Sequence, residues 1–337
     1  MKIVRTDAEL QTPFLDDELR AAGHDLVPLP DGASEAELCR AVAGADLLLM
    51  CYTPITAAVI AAAPQLKGIV KYGVGLDAID IPAAIARGIP VVNIPEYAEE
   101  TVAEGAFALM LSLAKRLPAL QDQIQNHGWA WPEPQWMGHD IADSTVGIIG
   151  LGHIGQSFAR MAGAGFRARV IAYSPHTDQA VFDAAGVERC ADLHSLLAQS
   201  DFVSVHCVLN PETHHMIGAA EFAAMKPGAC LINVSRGAIV DEQALIVALD
   251  EGQIAGAALD VFSAEPLARE GHPLSPLFGR DNVILTPHLT FYTAQAMHRL
   301  ESETLERCQE VLEGRPVQIK SKDPRLRAQS DGVIFEG

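Results

Sequence analysis

The chain has 337 residues, 49% of them hydrophobic, and carries 24 Lys and Arg against 43 Asp and Glu, a formal charge of −19. That length exceeds the usual single domain and the apolar content suffices for two cores. The acidic excess excludes nucleic acid or an anionic membrane surface as the main partner, because either needs a clustered surplus of Lys and Arg.

Cys39, Cys51, Cys190, Cys207, Cys230 and Cys308 are scattered without a CxxC pair, so they read as reduced thiols of a cytoplasmic protein and no metal site is expected. The start of the chain lacks the apolar core of a signal peptide. No apolar stretch reaches membrane-spanning length; Asp46 and Pro54 interrupt the run from Ala41 to Ala63.

Short β-like runs at Lys2–Val4, Leu47–Met50, Gly68–Lys71 and Val91–Asn93 alternate with alanine-rich periodic segments, the pattern of a parallel sheet. A long helix is predicted from about Glu99 to Leu117, where Val102, Ala106, Leu109, Met110 and Leu113 recur at helical spacing and Pro118 marks the stop. The segment that follows holds Trp129, Trp131 and Trp136, interrupted by Pro132 and Pro134. It predicts an aromatic arm at a subunit interface, with a loop packed on its own domain as the alternative.

The most specific signal lies at residues 146–174. The run Val146–Ile149 enters Gly150-Leu151-Gly152-His153-Ile154-Gly155, then a helical stretch and a second apolar run ending at Tyr173-Ser174. Strand, glycine turn, helix and strand in that order suit a dinucleotide. Gly150 permits the tight turn, Gly152 admits the pyrophosphate to the backbone, and Gly155 lets the helix pack on the sheet with its free N–H groups aimed at the anion.

Further strands are predicted at Val170–Tyr173, Phe202–His206, Cys230–Asn233, Ala255–Leu259 and Val283–Leu285, with a last amphipathic helix from about Thr293 to Leu312. Because an α/β layer precedes the glycine turn, the expected fold class is α/β with two Rossmann-like doubly wound parallel-sheet domains. The nucleotide-binding domain (99–289) is inserted into a flavodoxin-like substrate domain (1–98 plus 290–320), and 321–337 form a polar C-terminal tail.

Polar residues gather where three successive strands end: Asn233-Val234-Ser235-Arg236, then Asp260 through Glu265-Pro266, then Thr286-Pro287-His288. Oxidising a 2-hydroxy acid beside a nicotinamide needs a cation for the carboxylate, a base for the hydroxyl proton and a group that tunes the base. Arg236 suits the first task, His288 the second and Glu265 the third.

The chain resembles the D-isomer-specific 2-hydroxyacid dehydrogenase family. The matching stretches are Lys71-Tyr-Gly-Val-Gly75-Leu-Asp77, Gly88-Ile-Pro-Val-Val-Asn93, the glycine turn, Met225-Lys-Pro-Gly228, Asn233-Val-Ser-Arg-Gly237, Ala258-Leu-Asp-Val-Phe262 and Thr286-Pro-His288. The resemblance implies catalytic Arg236, Glu265 and His288, and a substrate carboxylate bound partly by backbone N–H groups near Val74 and Gly75. It implies cofactor contacts from Thr101, the segment Cys207-Val208 to Thr213, Val234, Ser235 and Asp260, the last near the nicotinamide amide. It also implies a homodimer formed through the nucleotide domains. Phe291 after the catalytic histidine is similar to the C-terminal-binding-protein branch, which keeps open an alternative role as an NAD(H)-sensing interaction protein of the corepressor type.

Two departures bear on ligands. The second strand of an NAD-specific domain usually ends in Asp or Glu; here Ser174 stands there, with no arginine immediately beyond, so NAD is expected as the family default while NADP is not excluded. Tyr52, Val74, Phe291 and Trp136 are candidates for the far wall of the substrate pocket. No arginine stands near Tyr52, where phosphoglycerate dehydrogenases tend to place a phosphate contact, which favours a small 2-keto or 2-hydroxy acid with an apolar or modest side chain.

Overall fold

The computed structural model describes residues 1–336, which divide into two compact units: Met1–Ala98 with the chain from Thr293 onward, and Glu99–Tyr292. In the first unit β1 (Lys2–Arg5), β2 (Asp25–Pro28), β3 (Leu47–Met50), β4 (Gly68–Lys71) and β5 (Val91–Asn93) form a parallel sheet in the order β2-β1-β3-β4-β5. This is the flavodoxin-like order. The inner strands β3 and β4 are buried along their whole length, as strands covered on both faces must be. β2 escaped the sequence reading because it is a half-exposed edge strand that ends in Pro28 and has no continuous apolar run.

In the second unit β6 (Thr145–Ile149), β7 (Arg169–Tyr173), β8 (Glu188–Arg189), β9 (Phe202–Val205), β10 (Cys230–Asn233), β11 (Gly256–Leu259) and β12 (Val283–Leu285) pair in parallel in the order β12-β11-β10-β9-β6-β7-β8. Read from β8 inward, that is the doubly wound Rossmann order with one strand added. Phe158, Phe182 and Phe222 are fully buried on the faces of this sheet.

The long helix is Glu99–Ala114, and Pro118 does not stop it. Arg116, at φ 51°, breaks the run, and Pro118 lies in the first turn of a second helix, Leu117–Asp122. Proline is tolerated in a first turn because the N–H it lacks has no intrahelical partner there.

The chain returns to the first unit at Thr293, three residues later than expected, and Thr293 caps the helix Ala294–Glu313 by accepting from Ala296 N–H at 3.2 Å. This helix packs on β4: a Cβ at Gly68 would stand 2.7 Å from Val311 Cγ1. Residues 321–336, the polar C-terminal tail, belong to the first unit. β13 (Val317–Ile319) and β14 (Val333–Phe335) pair, with a helical turn between them. Buried Gln329 donates to Val91 O at 2.9 Å and accepts from Val91 N–H at 2.7 Å, completing the edge of β5 with a side-chain amide.

Among the described residues no helix is long and apolar enough to cross a membrane. Gln329→Ala leaves a buried N–H and C=O on β5 unpaired, each costing about 1–3 kcal/mol. The expected outcome is a lower denaturation midpoint in urea with an unchanged m-value.

Candidate active site

β6 runs into the glycine turn where the strand order of the second unit reverses between β6 and β9, and such switch points hold the ligands of open α/β sheets. Gly150 has φ 93°, and a Cβ there would lie 2.6 Å from Cys207 N. At Gly155 a Cβ would overlap Gly150 O. At Gly152 it would meet nothing within 4 Å, and no side chain caps the helix His153–Arg160 that starts there. Unfilled space facing uncapped helix N–H donors fits a dinucleotide pyrophosphate.

Other residues expected at the cofactor ring this turn. His153 Nδ1 lies 2.7 Å from Glu99 Oε1, and Ile154 is half-buried against the core. Thr101 is buried in the first turn of the helix Glu99–Ala114. Ser174 ends the β7 segment, its Oγ 2.8 Å from Thr177 Oγ1. In the loop after β9, exposed Val208 accepts from Thr213 Oγ1 at 2.7 Å. Burial pushes the Cys207 thiol up to about 12, so it is no thiolate nucleophile. Ser235 Oγ donates to Cys207 O and ties this loop to the one after β10, next to buried Val234.

Arg236, Glu265 and His288 come from the loops after β10, β11 and β12. Asn233 fixes the first loop, its Nδ2 donating to Arg236 O at 3.0 Å and its Oδ1 accepting from Ser235 N–H at 3.0 Å. Glu265 Oε1 accepts from Phe262 N–H at 3.0 Å, and Oε2 lies 2.8 Å from His288 Nδ1. Burial alone would raise the Glu265 carboxyl. The hydrogen bond and charge of His288, the Phe262 N–H and the charge of Arg236 outweigh it and hold the group below its ordinary value. An ionised carboxylate at Nδ1 fixes the imidazole orientation and makes Nε2 the nitrogen of proton exchange.

His288 has φ 55°, a left-handed backbone uncommon outside glycine. Asp260 holds it there. Its carboxylate is fully buried: Oδ1 accepts from Thr286 Oγ1 at 2.6 Å and Leu289 N–H at 3.1 Å, Oδ2 from Thr290 N–H at 3.0 Å and Oγ1 at 2.7 Å. A carboxylate with no exposed surface and four donors of its own chain positions the histidine loop. The spacing Thr286-Pro-His-Leu-Thr290 after a strand-end aspartate was a readable signal for this role.

Phe291 is buried and meets His288 edge-on, ring centroids 6.4 Å apart, with Tyr292 6.0 Å beyond. In the first unit Tyr52 is half-exposed on the loop after β3, with Lys71 Nζ 5.3 Å from its ring centroid, and Val74 is exposed beside Gly75 on the loop after β4. Three further histidines, His206, His214 and His215, make contacts of their own. His206 Nε2 is 2.8 Å from Ser204 Oγ and burial pushes its pKa down to about 3, while His214 and His215 stack at 4.1 Å.

Comparison with known proteins agrees with this geometry. Residues 107–290 match the family model described as D-isomer specific 2-hydroxyacid dehydrogenase, NAD binding domain. The chain is 41% identical over 276 residues to glyoxylate reductase of Korarchaeum cryptofilum, covering 81% of this chain and 80% of that one. It is 40% identical over 285 residues to D-3-phosphoglycerate dehydrogenase of Mycobacterium tuberculosis, covering 84% of this chain but 52% of the relative. The chain thus spans about half the length of the phosphoglycerate dehydrogenases it matches. The solved structure of D-lactate dehydrogenase from Aquifex aeolicus, complexed with NAD and lactic acid, superposes with a TM-score of 0.82 at 30% identity, covering 93% of this chain and 96% of the other.

A Rossmann unit whose strand ends present arginine, glutamate and histidine defines a nucleotide-dependent oxidoreductase scaffold. The chain belongs to the D-isomer-specific 2-hydroxyacid dehydrogenase family. Nothing in the comparisons favours the corepressor-type alternative.

The lowered Glu265 pKa has a consequence for stability. A carboxyl depressed on folding stabilises above its unfolded value and loses that contribution as pH falls through the folded one. Glu265→Gln should therefore unfold at lower urea than wild type near neutral pH, with the gap closing as pH falls below the ordinary value of 4.5. Urea titrations at a series of pH values check it.

Proposed function

We propose that this chain is an NAD(P)-dependent D-2-hydroxyacid dehydrogenase acting chiefly on small, non-phosphorylated 2-keto and 2-hydroxy acids. The observation that carries the reading is the His288–Glu265 pair at 2.8 Å, held in a left-handed loop and within the field of Arg236. The bound nicotinamide cofactor supplies or accepts the hydride at substrate C2. In the reductive direction Arg236 holds the substrate carboxylate and polarises the carbonyl oxygen, where negative charge develops. His288 delivers a proton from Nε2 to the forming alkoxide, and Glu265 stabilises the charged ring before transfer. Oxidation reverses these roles.

Phe291, edge-on to His288, offers aromatic surface to the substrate side chain. The loop after β3 reads Cys51-Tyr52-Thr53-Pro54, without an arginine for a phosphate. The protein works as a homodimer joined through the nucleotide-binding unit. Trp129 and Trp131 are 74% and 73% exposed and Met137 72%, a cluster of large apolar side chains of the kind that interfaces bury. The six free thiols, four of them buried, suit a cytoplasmic protein.

Following NADH and NADPH absorbance against glyoxylate, hydroxypyruvate, pyruvate and phenylpyruvate tests the activity; no turnover on the panel would overturn it. His288→Ala should lower kcat by about 10²–10⁴-fold, as loss of a general acid does, with cofactor affinity little changed. Arg236→Ala should raise KM and lower kcat together, at least about tenfold in kcat/KM for a lost charge-assisted contact. Wild-type turnover in either variant would refute its assigned role.

A further inference from the structure

The β7 end lacks the acidic residue that repels a 2′-phosphate, and the sequence offers no arginine next to it. The fold brings one from elsewhere. Arg189 lies on the edge strand β8, fifteen residues after Ser174, and pairs in register with Ala172, two residues before Ser174. Its Nη2 donates to Pro175 O at 3.2 Å, and its guanidinium sits 5.0 Å from the centroid of the buried Phe182 ring. Stacking and one carbonyl contact fix the guanidinium plane while leaving most of its five donors uncommitted.

The neighbouring charges are already spoken for. Glu188, next in the chain, is gripped by Arg169 through contacts of 2.7–3.1 Å. Asp192 accepts from Ser195 N–H at 2.8 Å and its hydroxyl at 2.7 Å. Glu212 lies 3.3 Å from His176 Nε2. Among the described residues no carboxylate stands within ion-pair distance of Arg189. The turn itself offers two hydroxyls, Ser174 Oγ and Thr177 Oγ1, 2.8 Å apart. A planar cation, two hydroxyls and the turn beside them form an anion site at the place where open α/β sheets receive the adenosine ribose.

We infer that Arg189, with Ser174 and Thr177, binds a phosphomonoester on the ribose 2′-oxygen, so that the enzyme accepts NADP(H) as a working cofactor. This rests on the dehydrogenase reading for its biological meaning but not for its test. Guanidinium pairs strongly with phosphate, and losing such a charge-assisted contact weakens binding by about 10–100-fold.

The experiment uses the cofactor fragments 2′,5′-ADP and 5′-ADP, titrated calorimetrically into the full chain, beside kcat/KM for NADPH and NADH. Wild type should bind 2′,5′-ADP at least as tightly as 5′-ADP. Arg189→Ala should shift that ratio about tenfold or more against 2′,5′-ADP, Arg189→Lys should recover part of it, and Ser174→Asp should turn the preference toward NADH. A ratio indifferent to Arg189, or a wild-type preference for 5′-ADP above about a hundredfold, would overturn the anion site even if keto-acid turnover is robust. Absence of turnover with a ratio that still follows Arg189 would instead overturn the dehydrogenase reading and leave the anion site standing.

Discussion

The loop that carries His288 depends on one buried carboxylate. Asp260 lies just beyond β11, and four donors from Thr286, Leu289 and Thr290 converge on it. With those donors satisfied, the loop after β12 has a single arrangement, and His288 is kept in a backbone conformation that costs free energy by itself. Glu265 then sets the direction of the ring through the contact at Nδ1. An unpartnered carboxylate at this depth would be expensive, so the loop and the aspartate enforce each other.

The first unit uses the same device. Asp7, just beyond β1 and also at positive φ, accepts from Cys51, Tyr52 and Thr53 N–H groups and from the Thr53 and Thr6 hydroxyls at 2.5–3.3 Å. Burial would raise its carboxyl, but these donors hold it below the ordinary value. In both units an aspartate past one strand anchors the loop leaving the neighbouring strand. Parallel sheets collect loops at their carboxyl edge, and a fixed anion there converts a floppy connection into a rigid platform.

The charge distribution carries a further lesson. A chain of net charge −19 would repel a dinucleotide and a keto acid alike, so binding has to be local. Helix N–H groups at the glycine turn and the guanidinium groups of Arg236 and Arg189 are the local positive charge that the proposed binding would use, over a few ångströms that salt does not screen. The surrounding acids are largely paired with neighbours or serve as helix caps.

The order of strands, the glycine turn, the inserted nucleotide domain and the trio Arg236, Glu265 and His288 were legible because each is written locally: apolar runs have a period, glycines mark turns, and chemistry sits just after strands. The packing of the polar residues 321–336 was not legible, because Gln329 is buried by its amide pairing with Val91, a partner 238 positions away. That Asp260 anchors the histidine loop was not legible, because a sequence shows that an aspartate follows a strand but not which donors meet it. Arg189 went unread for the same reason: β8 is two residues long, and only parallel pairing with β7 sets its guanidinium beside Pro175. Local pattern showed the long or strongly apolar elements and which side chains are chemically able. Long-range pairing decided what each of those side chains touches, because hydrogen bonds act over ångströms and the residues they join are far apart along the chain.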